Sequence, residues 1–208
     1  GKIHVPFGVF SPLRGEYLDL ITQAPLAPNI QTAFDIGTGS GVIAAILVKR
    51  GIPDIIATDT NPKAIACATA NLKRLGLDKV INIQSIDLFP ESCADLIVCN
   101  PPWLPAKPTS SIETALYDPN NAMLTAFLNG VRKHLNLNGE AWLIISDLAE
   151  HLHLRDKDFL NQCFQTASLN VVDILKTKPQ HKKAIDESDP LAFARNKETT
   201  YLYRLKAI

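Results

Sequence analysis

The stretch Thr32-Ala33-Phe34-Asp35-Ile36-Gly37-Thr38-Gly39-Ser40-Gly41, with Val42-Ile43-Ala44-Ala45-Ile46-Leu47-Val48 behind it, decides the fold. Thr32 to Ile36 reads as a short buried strand. Val42, Ile43, Ile46 and Leu47 recur at helical spacing, so a helix is predicted from Gly41 to Arg50. The order is therefore strand, glycine-rich turn, helix.

The same alternation extends outward. Ile55 to Asp59 is the next strand; Asn61 caps a helix that starts with Pro62 and runs to Leu75, where Gly76 ends it. Val80–Ile86, Ala94–Cys99 and Ala141–Ile145 are three further apolar runs rich in Val and Ile, with a helix near Ala122–Leu135 before the last. A helix near Asp156–Ala167 and two strands, Val171–Leu175 and Thr200–Leu205, complete the chain. About seven strands interleaved with helices predict an α/β fold: a Rossmann-like doubly wound sheet with helices on both faces, mostly parallel because its strands are almost continuously apolar. Tyr201-Leu202-Tyr203 alternates, as an antiparallel last strand would. No repeat or linker interrupts the sequence, so residues 31–208 are read as one continuous structural domain preceded by a segment at 1–30.

The 208 residues are 46% hydrophobic and 20% charged, enough apolar material for one core and too much for extended disorder. Lys plus Arg and Asp plus Glu both number 21, so no global positive field recruits nucleic acid or an anionic membrane. Val42 to Val48 falls far short of the roughly 20 apolar residues that span a bilayer, and no membrane partner is expected. Gly1 to Pro6 carries neither an initiating Met nor a signal-type apolar run; it is expected to be the processed or excised start of a longer protein. Cys67, Cys93, Cys99 and Cys163 form no CxxC pair and are too sparse for a disulfide framework, which points to reduced thiols and a cytoplasmic setting. Cys67 and Cys99 sit in apolar patterns and are expected in the core.

In such sheets ligands bind beyond the carboxyl ends of the strands, so residues just after a strand are where chemistry is sought. After the first strand, Gly37, Gly39 and Gly41 let a ligand approach the backbone, with Thr38 and Ser40 adding hydroxyls. The spacing is G-x-G-x-G; Val42 stands where a dinucleotide fingerprint has its third glycine. Asp35 is better suited to face a cation, such as an amino group, than a phosphate. Asp59 ends the second strand about 20 residues beyond Gly37, where a carboxylate accepts the hydroxyls of an adenosine ribose; alone it would read equally as a helix cap. Asn100-Pro101-Pro102-Trp103 follows the strand Ala94–Cys99. Two successive prolines stiffen the backbone and present the Asn100 side chain and the Pro101 carbonyl as a fixed pair of acceptors, with Trp103 as a flat face for a planar amide or base. The bland reading of each is a tight turn, a cap or a chain reversal.

Together these three motifs resemble the class I S-adenosylmethionine-dependent methyltransferases, and within them the N-methylating branch marked by an Asn-Pro-Pro-aromatic tetrapeptide. The resemblance runs from Val9 to Leu205. It implies that Asp35, Gly37, Thr38, Gly39 and Gly41 hold the methionine end of S-adenosylmethionine, and Asp59 its ribose with Thr60 and Asn61 beside it. Asp87 or Leu88 would hold the adenine, and Asn100 to Trp103 would form the catalytic loop that also borders the cofactor. Phe10-Ser11-Pro12-Leu13-Arg14-Gly15-Glu16-Tyr17 is similar to the Pro-Arg-Pro-Glu-Thr segment of HemK-type protein glutamine methyltransferases. By that likeness, residues 1–30 flank the active site with Phe10 and Arg14 on the substrate side. Leu13 intervenes, Gly15 replaces a proline and Trp103 stands where that family usually has Tyr. Its separate N-terminal substrate domain falls outside these 208 residues.

The expected activity is methyl transfer to a planar amide or exocyclic amine nitrogen, on protein glutamine or on adenine or guanine of nucleic acid. No metal is called for: Glu150, His151 and His153 lack further ligands at metal spacing. The connection from Lys176 to Glu198 has a small excess of Lys and Arg and reads as a solvated loop or a substrate lid. Two other classes share this fold. A catalytically silent S-adenosylmethionine-binding partner subunit would keep the fold and lose the site; an NAD(P)-dependent oxidoreductase would want G-x-G-x-x-G and Y-x-x-x-K, neither of which is present.

Overall fold

The computed structural model describes residues 2–6, 8–9, 15–106, 117–179 and 192–208. The strands are β1 (Thr32–Ile36), β2 (Asp54–Thr58), β3 (Ile81–Gln84), β4 (Ala94–Cys99), β5 (Leu135–Ser146), β6 (Leu169–Thr177) and β7 (Thr200–Ala207). The helices are α1 (Glu16–Gln23), α2 (Val42–Lys49), α3 (Pro62–Leu75), α4 (Ala122–Val131), α5 (Leu148–His151), α6 (Phe159–Thr166) and α7 (Ala192–Arg195). One sheet runs β3-β2-β1-β4-β5-β7-β6, parallel from β3 to β5, with β7 antiparallel to both β5 and β6. The sequence expectation of a mostly parallel sheet with an antiparallel last strand is met.

Burial explains the layering. Ala33, Ile55, Leu96, Val98, Trp142 and Ile144 face one way and pack with α1, α2 and Leu72 of α3. Phe34, Ile36, Ile97, Cys99, Leu143 and Ile145 face the other way, against Phe127 of α4 and Phe164 of α6. Strands apolar on both sides can be paired only in the middle of a covered sheet, where β1, β4 and the second half of β5 lie. Cys67 and Cys99 are buried as expected. Asn61 caps α3 by accepting the Lys63 N–H, and Gly76 ends it in the left-handed region at φ 70°.

Three differences from the sequence expectation have physical causes. β5 begins at Leu135 rather than Ala141, because the exposed Asn136-Leu137-Asn138 segment forms an irregularity where the β4 partner shifts from Leu135 to Glu140. The last turn before it is a 3-10 turn, Arg132–His134, so the helix proper stops at Val131. Helix α1 is absent from the sequence expectation altogether. It buries Glu16, Tyr17, Leu20 and Ile21, and its end is tied down by Arg50, whose guanidinium donates to the carbonyls of Ile21 and Ala24 and lies 5.5 Å from the Trp142 ring. Among the described residues no helix is long and apolar enough to cross a membrane.

A charged donor that satisfies the last carbonyls of a helix is worth about 2 kcal/mol. Arg50→Met keeps the aliphatic stem and removes both bonds, so it is expected to lower unfolding stability by about that amount; urea denaturation at constant m-value measures it, and an unchanged midpoint would show that water replaces the guanidinium without loss.

Candidate active site

Asp35 is the fourth residue of β1 and has no exposed surface. Its Oδ2 accepts from the Thr38 hydroxyl at 2.6 Å and from the Ala44 N–H at 3.0 Å, so the carboxylate braces both the glycine turn and the first turn of α2. Its Oδ1 has no hydrogen-bond partner. Burial pushes the Asp35 pKa up to about 6; the bonds from Thr38 and Ala44 oppose that rise, and Asp59 adds to it. Two glycines of the turn are held at positive φ, where side chains are disfavoured, and have neighbours close to where a Cβ would stand. A Cβ at Gly37, where φ is +72°, would lie 2.8 Å from Met123 Cε; at Gly41, where φ is +80°, it would lie 3.3 Å from the Ala68 Cβ on α3. Gly41 thus provides the tight helix packing that a dinucleotide fingerprint places one residue later.

Asp59 follows β2 and is half-buried. Its Oδ2 accepts the Gly39 N–H and its Oδ1 the Asn61 N–H, both at 2.9 Å, which ties the turn after β2 to the turn after β1. Thr58 binds these turns to the next one: its carbonyl accepts the Thr38 N–H at 2.8 Å and its hydroxyl donates to the Leu88 carbonyl at 2.7 Å. Leu88 is held at φ 53°, and Asp87 beside it is exposed, as is Thr60.

β4 lies directly beside β1, with Ile36 opposite Cys99, so Asn100 leaves the sheet level with the glycine turn. Pro101 is buried, and Asn100, Pro102 and Trp103 are partly so. The Trp103 indole N–H donates to Asn100 Oδ1 at 2.9 Å. An indole is a donor only, so this contact fixes which end of the Asn100 amide carries the oxygen and leaves one lone pair of Oδ1 for another donor. The Trp103 ring meets Tyr17 edge to face at a centroid distance of 6.5 Å and 84°. Behind it, the buried Arg155 pairs with Glu150 at 2.9 Å, donates to the Ser146 carbonyl at 2.9 Å and reaches the Trp103 carbonyl at 3.4 Å.

The carboxyl edge therefore gathers Asp35, Gly37, Thr38, Gly39, Gly41, Asp59, Thr60, Asn61, Leu88 and the Asn100–Trp103 loop, with Asp87 at its exposed end. Phe10 and Arg14 lie outside the described residues, as does part of the Lys176–Glu198 connection. Tyr17, Met123 and Arg155 border the site; Tyr17 falls in the Phe10–Tyr17 segment singled out from the sequence, whereas Met123 and Arg155 escape the sequence reading. Tyr17 sits in an i, i+3, i+4 apolar pattern with Leu20 and Ile21 that marks helix α1, whereas Arg155, between Leu154 and Asp156, carries no signal short of its burial. Glu150 is taken up by Arg155, and His151 lies 3.5 Å from Asp147.

A glycine turn, a second-strand carboxylate and a rigid Asn-Pro-Pro-Trp exit stand side by side at one switch point of the α/β sheet. The family model for the methyltransferase small domain matches residues 2–173, and the chain belongs to that family. It is 33% identical over 140 residues to a release factor glutamine methyltransferase of Cereibacter sphaeroides, covering 60% of this chain and 50% of that one. It is 30% identical over 130 residues to a tRNA1(Val) (adenine(37)-N6)-methyltransferase of Cytophaga hutchinsonii, covering 59% and 54%. The chain thus spans about half the length of these curated relatives. A ribosomal protein L11 methylase structure from Lactobacillus delbrueckii subsp. bulgaricus shares the fold with a TM-score of 0.64 at 21% identity, over 99% of this chain and 84% of that one.

The raised pKa of Asp35 has a sign. Its ordinary value is 3.8, so between about pH 4 and 6 the folded chain holds a proton that the unfolded chain has lost, and stability falls as pH rises through that window. Asp35→Asn keeps an acceptor for Thr38 and Ala44 without the buried charge. It is expected to melt a few degrees above the wild type near pH 8 and level with it near pH 4; melting curves across that range measure the difference, and parallel curves would show that Oδ1 is solvated.

Proposed function

We propose that the chain is an S-adenosylmethionine-dependent N-methyltransferase whose acceptor is the nitrogen of a planar amide or exocyclic amine, on protein glutamine or on a purine of nucleic acid. The observation that carries the reading is the placement of Asn100 and the Pro101 carbonyl level with the Asp35 turn at the β1–β4 switch point. The residues present fit the cofactor: the buried, unpartnered Asp35 Oδ1 suits a cationic amino group, and Asp59, already accepting two backbone N–H bonds, keeps lone pairs for ribose hydroxyls. When bound, S-adenosylmethionine supplies a methyl group already activated as a sulfonium.

The work left to the chain is positioning. The lone pair of an amide or aromatic amine is delocalised, and two fixed acceptors for its N–H bonds, Asn100 Oδ1 and the Pro101 carbonyl, orient the nitrogen and stabilise the positive charge that develops on it. Trp103 offers a partly exposed ring for stacking the acceptor plane. No strong general base is required, because the methylated nitrogen becomes acidic and releases its proton to water. The two relatives' names specify a glutamine of a protein and the N6 amine of adenine in tRNA, both planar nitrogens in the translation apparatus. A cytoplasmic setting accords with those partners and with the free thiols of Cys67, Cys93, Cys99 and Cys163. Membership of the methyltransferase family sets aside the oxidoreductase alternative.

Transfer of labelled methyl from S-adenosylmethionine to a purified bacterial release factor and to unmodified tRNA tests the reading and separates the two acceptors. Asn100→Ala is expected to lower the rate on the active acceptor by roughly 100-fold or more while cofactor affinity stays within a few-fold. An unchanged turnover number would sink the role of Asn100.

A further inference from the structure

The buried guanidinium of Arg155 makes five hydrogen bonds, as many as it has N–H groups. Nε and Nη2 donate to the two carboxylate oxygens of Glu150 at 2.9 and 3.1 Å, and Nη2 donates again to the Ser146 carbonyl at 2.9 Å. Nη1 reaches the Trp103 carbonyl and Asn121 Oδ1, each at 3.4 Å. A guanidinium is a planar, rigid fork, so the two-point grip of Glu150 on one edge aims Nη1 at Trp103. The Asn100–Trp103 loop is fixed at its start by the register of β4 on β1. Just past its end, the Leu104 carbonyl accepts the Asp118 N–H at 2.8 Å, and the buried Asp118 carboxylate accepts the Met123 and Leu124 N–H groups that open α4. Asn120 and Asn121, between Asp118 and α4, stand at φ 58° and 55°, a pairing that persists only where neighbours hold it. Arg155 touches both limbs, Trp103 on the outgoing chain and Asn121 on the returning one.

We propose that Arg155 is a positioning residue for methyl transfer, one that fixes the Asn100–Trp103 ledge from behind and sets the place of Asn100 Oδ1 by acting through Trp103. The inference rests on the methyltransferase reading. The Trp103 indole N–H is bonded to Asn100 Oδ1, so a displacement of the Trp103 backbone is passed to the oxygen that receives the acceptor. Transfer needs the acceptor nitrogen in line with the methyl carbon, and a small misplacement of the group that orients it costs rate. The glycine turn is braced separately, by Asp35, Thr58 and Asp59. Loss of the Arg155 fork is therefore felt in the transfer step and not in cofactor binding.

Arg155→Lys keeps a positive charge beside Glu150 and gives up the fork; it serves where Arg155→Met, which strands a buried carboxylate, does not fold. Its matched control is Arg204→Lys, the same change in the Arg204–Glu140 pair further back along β5, away from the ledge. With saturating S-adenosylmethionine and a release factor or unmodified tRNA as acceptor, Arg155→Lys is expected to lower kcat roughly tenfold while cofactor affinity by calorimetry stays within about twofold. Arg204→Lys is expected to leave both unchanged. In a proton NMR spectrum, Arg155→Lys is expected to move the Trp103 indole N–H signal and leave that of Trp142 in place. An unchanged kcat or an unmoved Trp103 signal in Arg155→Lys, or an equal loss of kcat in the two variants, would make Arg155 a structural residue and overturn the proposal while the methyltransferase reading stands. A wild-type chain that transfers a methyl group to neither acceptor would overturn both.

Discussion

The parallel pairing of β1 with β4 is the constraint on which the site depends. The two strands are distant in sequence, yet Ile36 stands opposite Cys99, so the residues that follow each strand emerge at the same height. One strand exit is flexible where it must bend, through Gly37 and Gly41; the other is stiffened by Pro101 and Pro102. A soft cradle and a rigid ledge are thereby placed side by side at the point where the sheet reverses its winding. Neither could be moved by a residue without slipping a register that buries apolar side chains on both faces of both strands.

The edge is also cross-tied. Thr58 and Asp59 bind the turns after β1, β2 and β3 to one another, and Asp35 binds its own turn to α2. These are hydrogen bonds between segments that secondary structure leaves unpaired, and they explain how loops at the sheet edge hold fixed positions. Arg155 does the same for the Trp103 side, gathering Glu150, Ser146 and Trp103 around one guanidinium. Its ion pair is buried, so deleting one partner would strand the other, which makes it an anchor better than a source of stability.

Much of this was legible in the sequence because local chemistry and global fold agree there. β1, β4 and α3 have the predicted ends, since a cap, a proline or a glycine marks each boundary of α3 and β1 and β4 are bounded by polar residues or turns. The glycine turn, Asp59 and the Asn-Pro-Pro-Trp exit advertise themselves by following apolar strands. What stayed hidden depends on tertiary contact. Helix α1 is short and amphipathic, and its end is held by Arg50, the residue just past the end of α2. Arg155 sits in a charged loop whose composition is that of a solvated surface, and only packing reveals it as buried. The N-terminal segment is likewise secured from afar, by the Asn71 side chain, which bonds both the N–H and the carbonyl of His4.

The chain has two tryptophans, and the fold sends them to opposite environments. Trp142 is fully enclosed in β5, bonded to Glu140 and covered by Arg50, while Trp103 is partly open at the mouth of the site and bonded to Asn100. Indole emission depends on solvation and on the partner of the N–H, so the buried ring gives a steady background against which the other varies. The protein thus carries its own optical reporter at the ledge, and light rather than chemistry can follow what settles there.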